Sequence, residues 1–402
     1  MTFINAGVCN KRLFYPIIGG IFNLIVNIII YLVPGDEEII KHPFILGMNS
    51  GLGMSFSIIP FIYSITHSKL RRRERLTTNK MKEDIKKRND PGIKREKYII
   101  IILCAFLDFI QKTLIFFFSK NMKNIHDVWI FNIIFLNAFA LMMKENQLYI
   151  HHYISGGIMI LCGLGLNVFN LYDLEVKQIP LIFVAIFIEI IFSLEIVLAK
   201  YGMDYRFCSP SEMTFYEGIF SLIINTIFLL ISTYIPLKNN FLYTKLLYTT
   251  KDNSNGKKYL DNIIIYYNNI NFVEIIYFIV IMAGRLSFNL FSYLTVKHFT
   301  SSHVFLLLIL GEFSLYLIDK STLELIITII IYLIELLMAL IFCEIIELDF
   351  LGLSDNTKRN IKIRATTINL EDTESYDSEE IWNGLELSSD SKSSLNNSYL
   401  GV

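Results

Sequence analysis

The sequence predicts an all-α, multi-pass membrane protein whose ten transmembrane helices form two inverted five-helix repeats. Three observations support this fold class. Hydrophobic residues make up 53% of the 402 residues, which is above the usual apolar share of a soluble domain. They are gathered into runs long enough to cross the roughly 30 Å hydrocarbon core of a bilayer as helices. Finally, one long connection recurs at the same place in each half of the chain.

The apolar runs predict ten spans, and the first run is too long for the hydrophobic region of a signal peptide. The fourth span is short and interrupted by polar residues, and a hairpin there would change the count to nine or eleven. The predicted spans are 12–33, 42–66, 98–118, 127–143, 148–170, 179–199, 212–236, 272–294, 300–318 and 322–346.

Lysine and arginine in the connections predict the orientation, because short cytosolic loops are enriched in both. The connection 67–97 contains KLRRRER, KKR and KREK and is therefore predicted to be cytosolic. This places the N-terminal residues 1–11 in the cytosol, and with an even number of spans the C-terminus lies there too. The connection 237–271 then faces the lumen or exterior.

The last segment, 347–402, changes composition and becomes rich in acids and Ser from residue 370 onward. Such a segment cannot bury a core, so it is predicted to be a disordered cytosolic tail. Its stretch TESYDSEE is typical of an acidic phosphorylation region, although a solvated tail is the simpler interpretation.

The long connections indicate an internal symmetry. Division of the chain near Leu171 gives a first five-span repeat at 12–170 and a second at 171–346. In each repeat the long connection joins the second span to the third, and by the orientation above the two connections lie on opposite sides of the membrane. This is the pattern expected when two related halves insert upside down relative to each other.

The third span of each predicted repeat carries a polar pair. Asp108 and Lys112 lie in the first repeat and Arg285 and Asn289 in the second, both spaced i,i+4 so that each pair shares one helix face. A charge at mid-bilayer costs at least about 2.5–3.5 kcal/mol, so these faces are expected to point to protein or a water-filled cavity. Two interpretations remain open: a cavity for a hydrophilic solute, or an ion pair that locks helices together.

Asparagine side chains in the first two spans are weaker candidates. Asn23 and Asn27 share a face of the first span, and Asn49 interrupts the second. Asparagine often joins membrane helices by hydrogen bonds, so a packing role and a cavity role are both open.

Other titratable residues within or beside the spans include Glu189, Glu195, His151 and His152. Glu189 is near mid-membrane and is a candidate contact for a proton or a substrate. Glu195 is nearer the predicted cytosolic end, where it can simply extend to the interface. His151 and His152 are predicted to lie solvated at an interface, with no special role.

Three stretches of the chain resemble the drug/metabolite transporter superfamily, which includes the nucleotide-sugar transporters of solute carrier family 35 and the chloroquine-resistance-transporter-like proteins. CAFLDFIQKTLIF is similar to the third-span pattern. KYGMDYRFCSPSEMTFYEGIF is similar to the connection into span seven, with Lys200, Tyr201, Pro210, Glu212, Glu217 and Gly218 at matching places. FNLFSYLTVKHFTSSHV is similar to the passage from span eight to span nine.

The resemblance implies a carrier that works by alternating access, with its halves rocking about a central cavity near the midplane. It implies that Asp108, Lys112, Glu189, Arg285 and Asn289 contact the solute or a coupled proton. It also implies an intracellular organelle membrane and a homodimer formed through the peripheral fifth and tenth spans.

The sequence therefore predicts a secondary transporter for a small polar or charged metabolite. It contains no GxSxG, HExxH, P-loop or dinucleotide-binding turn, so no enzyme activity, cofactor, metal or nucleic-acid partner is expected. The alternative is a membrane-embedded enzyme that uses intramembrane carboxylates.

Overall fold

Helices make up almost all of the described part of the chain, all of which belongs to one compact unit, Ile4–Ile346. The computed structural model describes residues 14–32, 42–74, 90–122, 130–143, 148–171, 179–236, 250–251, 258–269, 272–312 and 322–346. The predicted N-terminal segment 1–11, the predicted tail 347–402 and most of both long connections lie outside the described residues.

The helices follow the order of the apolar runs. They are α1 (Phe14–Leu32), α2 (Pro43–Ser55), α3 (Ile58–Glu74), α4 (Pro91–Met122), α5 (Asn132–Met142), α6 (Ile150–Leu171), α7 (Ile179–Tyr205), α8 (Pro210–Tyr234), α9 (Ile263–Asn269), α10 (Phe272–His298), α11 (Val304–Glu312) and α12 (Thr322–Phe342). A 3₁₀ turn, Ser301–His303, joins α10 to α11. Two short strands, β1 (Thr250–Lys251) and β2 (Lys258–Tyr259), pair antiparallel ahead of α9.

Within the described residues, six helices are long and apolar enough to cross a membrane. They are Pro43–Thr66, Pro91–Ile115, Leu181–Tyr205, Pro210–Tyr234, Glu274–His298 and Leu325–Phe342, and shorter apolar helices cover Phe14–Ile25, Asn132–Met142, Ile150–Gly165 and Ser301–Gly311. The predicted helical character is thereby confirmed, and the six helices fit an integral membrane protein by their length and composition. The shorter helices overlap the remaining predicted spans, and the number of ten spans stays a prediction.

The second predicted span is broken rather than continuous. The amides of Phe56 and Ser57 bond to the carbonyls of Gly53 and Met54, three residues back, which tightens the chain into a turn between α2 and α3. Pro60 follows and has no amide to donate to the carbonyl of Phe56, so an α-helix cannot run through this point with all its bonds. The break therefore lies directly beside Met54.

The main helix contacts join the first half of the chain to the second. α2 packs against α8 and α10, α4 against α7 and α8, and α1 against α10 and α11. α5 packs against α7, and α6 packs against α12. The largest apolar cluster contains fully buried side chains such as Ile101 of α4, Leu136 of α5 and Phe305 of α11.

Two glycines allow α2 and α8 to approach backbone to backbone. A methyl group on Gly51 would lie 2.7 Å from the amide nitrogen of Leu222 and 2.8 Å from the carbonyl oxygen of Gly218. A methyl group on Gly218 would in turn lie 2.8 Å from the carbonyl oxygen of Gly51. Because both obstacles are backbone atoms, only small residues permit this crossing.

The connection after α8 reaches back to the start of α2. One carboxylate oxygen of Asp261 lies 2.6 Å from Nδ1 of His42, and the other accepts hydrogen bonds from the amides of Phe44 and Ile45 at 2.8 and 3.2 Å. The first amides of a helix have no intrahelical acceptor, so Asp261 supplies one. This contact joins the two halves at the α2 N-terminal end of the bundle.

Ion pairs join the halves at the other end, where α4 and α8 begin. Lys97 lies 2.6 Å from Glu212, and Arg206 pairs with Glu96. Glu212 also completes a capping box with Ser209 at the start of α8. The chain crosses the bundle through α2 and α3, and α4 begins at the end of the bundle where α3 finishes. These ion pairs therefore lie at the opposite end from the Asp261 contact, which is at the start of α2.

Candidate functional site

The polar pair of α4 points into the bundle. Ile102 and Phe106 of this helix are each 49% exposed, as expected for a surface that faces lipid, whereas Asp108 and Lys112 are only 2% and 3% exposed. The helix therefore places its apolar side outward and its charged side inward, the reverse of a helix at the surface of a soluble protein.

Lys112 is held by an acid and by a sulfur. Its Nζ lies 2.7 Å from the carboxylate of Asp108, one turn away on the same helix, and 3.3 Å from Sδ of Met54. Nδ2 of Asn289 lies 2.8 Å from the same sulfur. The polar faces of α4 and α10 therefore meet on Met54, at the break between α2 and α3.

A phenol joins two further acids one turn along α10. The hydroxyl of Tyr293 lies 2.8 Å from Oε1 of Glu195 on α7 and 2.5 Å from Oε1 of Glu217 on α8. All three side chains are at most 3% exposed. Tyr293 follows Asn289 by four residues, so it continues the same helix face.

The hydrogen bonds around Tyr293 depend on a proton. A phenol has one proton to donate, so its second short contact is a hydrogen bond only when that carboxyl is itself protonated and donates to the phenol oxygen. In the described part of the chain, Oε2 of Glu195 and Oε2 of Glu217 have no hydrogen-bond partner. Both atoms are buried, so the two acids retain acceptor sites that a proton or a solute could occupy.

The group around Lys112 and the group around Tyr293 act on each other electrostatically. Asp108 repels negative charge on both Glu195 and Glu217, and Lys112 attracts it. We call these residues together the central cluster. Its members are Met54, Asp108, Lys112, Glu195, Glu217, Asn289 and Tyr293. As defined, the cluster contains three carboxyl groups and one ammonium group, contributed by helices from both halves.

Glu189 belongs to a different polar group. Asn132 of α5 donates a hydrogen bond to its carboxylate, and the hydroxyl of Ser193 donates to Oδ1 of Asn132 at 2.5 Å. Asn132 and Ser193 are buried, at 1% and 0% exposure. These bonds join α5 to α7 and satisfy the polar atoms of Asn132.

The remaining predicted site residues occupy separate positions. Asn49 donates to the backbone carbonyl of Phe278 at 2.9 Å and so joins α2 to α10. Asn23 is buried where α1 packs on Gly311. Arg285 is half-buried, one turn before Asn289. The side chain of Asn27 lies outside the described residues.

Two interpretations of titratable residues are wrong. Glu195 does not extend to the interface, because its buried carboxylate bonds to Tyr293. His151 and His152 are not solvated, because they are only 4% and 8% exposed. In both cases depth along the helix was a poor guide, since the rotation of the helix and its neighbours decide which way a side chain points.

Sequence reasoning missed Met54, Glu217 and Tyr293 as members of the cluster, and it gave Glu195 a different role. Tyr293 had a signal, because Arg285, Asn289 and Tyr293 recur every four residues on one face. The only local signal for Glu217 is that it is an acid inside an apolar run. Nothing in the neighbouring sequence relates it to α7 or α10.

No model of a known protein family matches the chain, and no curated protein matches it either.

Proposed function

We propose that the protein is a secondary transporter that moves a small polar or charged solute across a membrane by alternating access, with the central cluster as its solute and proton site. One observation carries the proposal. Charged and hydrogen-bonding side chains from α4, α7, α8 and α10 are buried together at the contact between the two halves.

The energetic cost of this cluster favours a functional role. Each intramembrane acid or base costs at least about 2.5–3.5 kcal/mol on insertion scales, and a lone ion pair would have been enough to join two helices. The chain instead buries Glu195 and Glu217 beside Asp108 and Lys112. Groups that are expensive to bury and electrostatically coupled are typical of ion and substrate pathways.

The helix contacts support an inverted repeat. Each span of one predicted repeat corresponds to the span five positions away in the other repeat. When corresponding spans exchange places, the α4–α7 contact becomes the α10–α1 contact, and the α4–α8 contact becomes the α10–α2 contact. The same exchange converts α1–α11 into α7–α5, and it leaves α2–α8 and α6–α12 unchanged. Two halves related by a two-fold axis would produce this exchange, as the repeat hypothesis requires.

The two ends of the bundle offer opposite gates. At the end where α4 begins, Lys97–Glu212 and Glu96–Arg206 join the halves, and at the other end Asp261 bonds to the start of α2. The break between α2 and α3 lies beside the cluster, where broken helices commonly form transporter sites. Rocking of the halves would release one set of contacts and keep the other.

The proposal includes membership of the drug/metabolite transporter superfamily, an intracellular organelle membrane, a coupled proton and a homodimer. The proton is assigned to the Glu195–Tyr293–Glu217 group, since its hydrogen bonding requires a proton on one acid whenever Tyr293 bonds to both.

The test is uptake by the full chain reconstituted in liposomes. Nucleotide sugars, amino acids, short peptides and organic anions and cations are screened with and without a pH gradient, and the best solute is repeated with Asp108→Asn and Arg285→Gln. Asp90→Asn is the matched control, because Asp90 is exposed at the start of α4. We expect Asp108→Asn to lose at least about tenfold in uptake and Asp90→Asn to keep it.

Normal uptake by both Asp108→Asn and Arg285→Gln would reduce these residues to structural roles and overturn the assignment of the site. If no solute moves but a lipid or ester is turned over, the alternative of a membrane-embedded enzyme replaces the proposal.

A further inference from the structure

A second cluster of ligand-forming side chains lies where α6 begins and α12 ends. Nε2 of His151 lies 3.5 Å from Oε1 of Glu344, and Nε2 of His152 lies 3.7 Å from the same oxygen. The two imidazole rings are 4.0 Å apart between centroids. Two imidazole nitrogens on α6 and one carboxylate oxygen just past the end of α12 therefore converge.

The cluster is enclosed by protein. His151 and His152 are 4% and 8% exposed, the ring of Tyr149 stacks beside His151, and the ring of Phe342 lies edge-on to His152 at 5.0 Å. In the described part of the chain, neither ring nitrogen of His151 has a hydrogen-bond partner. A buried imidazole whose two nitrogens make no hydrogen bond needs an explanation, and a ligand to its Nε2 supplies one.

We propose that His151, His152 and Glu344 form a site for a divalent transition metal such as Zn²⁺, with one coordination position left open. One ligand atom from each residue lies within 4.8 Å of the others. Two ligands bound at about 2.0–2.1 Å to a tetrahedral Zn²⁺ lie about 3.3 Å apart, so only small shifts are needed. Imidazole and carboxylate are ligands that Zn²⁺, Co²⁺ and Ni²⁺ share.

The backbone at Glu344 supports the assignment. The residue lies just past the end of α12 with φ of 56°, and the following amide, of Ile345, bonds back to the carbonyl of Leu340. Helices commonly end on a left-handed residue, but glycine is the usual choice because a side chain costs about 1–2 kcal/mol there. A glutamate at this position carries that cost and places its carboxylate beside the two imidazoles.

The two histidines are not equivalent ligands. The amide of Tyr149 donates to Nδ1 of His152 at 3.2 Å, so the neutral ring holds its proton on Nε2. Ligation through Nε2 requires that proton on Nδ1, which removes the acceptor of the Tyr149 amide. Neither nitrogen of His151 has such a bond to lose in the described part of the chain. The loss of His151 should therefore weaken metal binding more than the loss of His152.

The bound metal would join α6 to α12, which already pack against each other. These are the last helices of the two predicted repeats, and they lie outside the central cluster. The site is thus independent of the proposed transport function. Its chemical effect is to cross-link the two helix ends and stabilise the folded chain by mass action.

The test uses the full chain in nanodiscs, purified without a polyhistidine tag and stripped with chelator. Co²⁺ is titrated while its visible d–d absorption is recorded, and Zn²⁺ is then added as a competitor. We expect each chain to bind one Co²⁺ with the intense d–d absorption of a low-symmetry site. Zn²⁺ should displace this Co²⁺ and remove the absorption. Affinity should fall at least about tenfold in His151→Ala and in Glu344→Gln, since even outer-shell changes cost that much. His303→Ala is the matched control and should bind as the parent chain does.

A second measurement protects the test against a misfolded variant. Zn²⁺ should raise the midpoint of thermal unfolding of the parent chain and of His303→Ala, but not that of Glu344→Gln. The proposal is overturned if the parent chain binds no Co²⁺, or if all variants bind alike. It is also overturned if the cluster responds only to protons, so that acidification stabilises the chain and metal does not.

Discussion

The hydroxyl of Tyr293 lies 2.5 Å from Oε1 of Glu217. Because the same hydroxyl also reaches Glu195, one phenol connects three helices, α7, α8 and α10. Its single proton cannot serve both acids, so the connection is complete only when one of the acids is protonated. The packing of these helices is therefore linked to the protonation of the central cluster, which is the property a proton-coupled carrier needs.

Replacement of Tyr293 by Phe should uncouple transport from the proton. The change keeps the ring but leaves Oε1 of Glu195 and of Glu217 without the phenol, and an unsatisfied buried polar group costs about 1–3 kcal/mol. We expect a lower midpoint of thermal unfolding in detergent, and uptake that no longer responds to a pH gradient across the liposome membrane.

Tyr277→Phe is the control for this change, because Tyr277 lies on the same helix in an apolar cluster with Leu46 and Ile281. If both variants lose the response to the pH gradient equally, or if Tyr293→Phe keeps it, the Glu195–Tyr293–Glu217 group is not the proton site.

The Asp108–Lys112 pair should be more costly to break than to remove. Lys112→Met leaves the Asp108 carboxylate buried without the ammonium of Lys112. The removal of one partner of a buried ion pair costs about 3–5 kcal/mol. Asp108→Asn with Lys112→Met leaves no such charge and should lose less stability than Lys112→Met alone. Thermal or denaturant unfolding of the three variants measures the difference, and a double variant as unstable as the sum of the two singles would show that the pair is not coupled.

Sequence reasoning found the Asp108–Lys112 pair because every step was local. An i,i+4 spacing fixes a shared helix face, and the cost of a charge in hydrocarbon fixes the direction of that face. The structure buries both residues, together with Asn289. That these side chains bind a solute stays a prediction.

The rest of the cluster could not be found in the same way, because it depends on how distant helices pack. Glu195 and Glu217 are 22 positions apart in a chain that turns between them, and only the placement of α10 brings Tyr293 between their carboxylates. The break beside Met54 had a visible signal in Pro60, but the length and hydropathy of the run fit one continuous helix.

A larger residue at Gly218 should separate α2 from α8. A methyl group there meets backbone atoms of α2 that no rotamer change can move, so Gly218→Val is expected to destabilise the chain by several kcal/mol or prevent folding. Gly157→Val is the matched control, because a methyl group on Gly157 has open space within 4 Å. Yield of monodisperse protein and the thermal midpoint measure both. Equal losses in the two variants would contradict the close crossing.

Cys208 should report when the end of the bundle near α4 opens. It lies in the turn between α7 and α8, where burial raises the pKa of its thiol to about 12, although the nearby ammonium of Lys97 lowers that pKa. Since the thiolate is the form that reacts, alkylation of the closed chain should be slow at pH 8 and rise about tenfold for each pH unit. Mass spectrometry of the Cys208 peptide gives the rate.

Removal of Lys97 then separates opening from simple electrostatics, because the two effects have opposite signs. Loss of the ammonium alone raises the thiol pKa further and slows alkylation, whereas loss of the Lys97–Glu212 ion pair that joins the halves opens this end and speeds it. We expect Lys97→Met to be alkylated faster than the parent chain. Lys94→Met, which removes an exposed lysine one turn away, should react at the parent rate. Slower alkylation of Lys97→Met would mean that this end stays closed without the ion pair, and that the pair is not a gate.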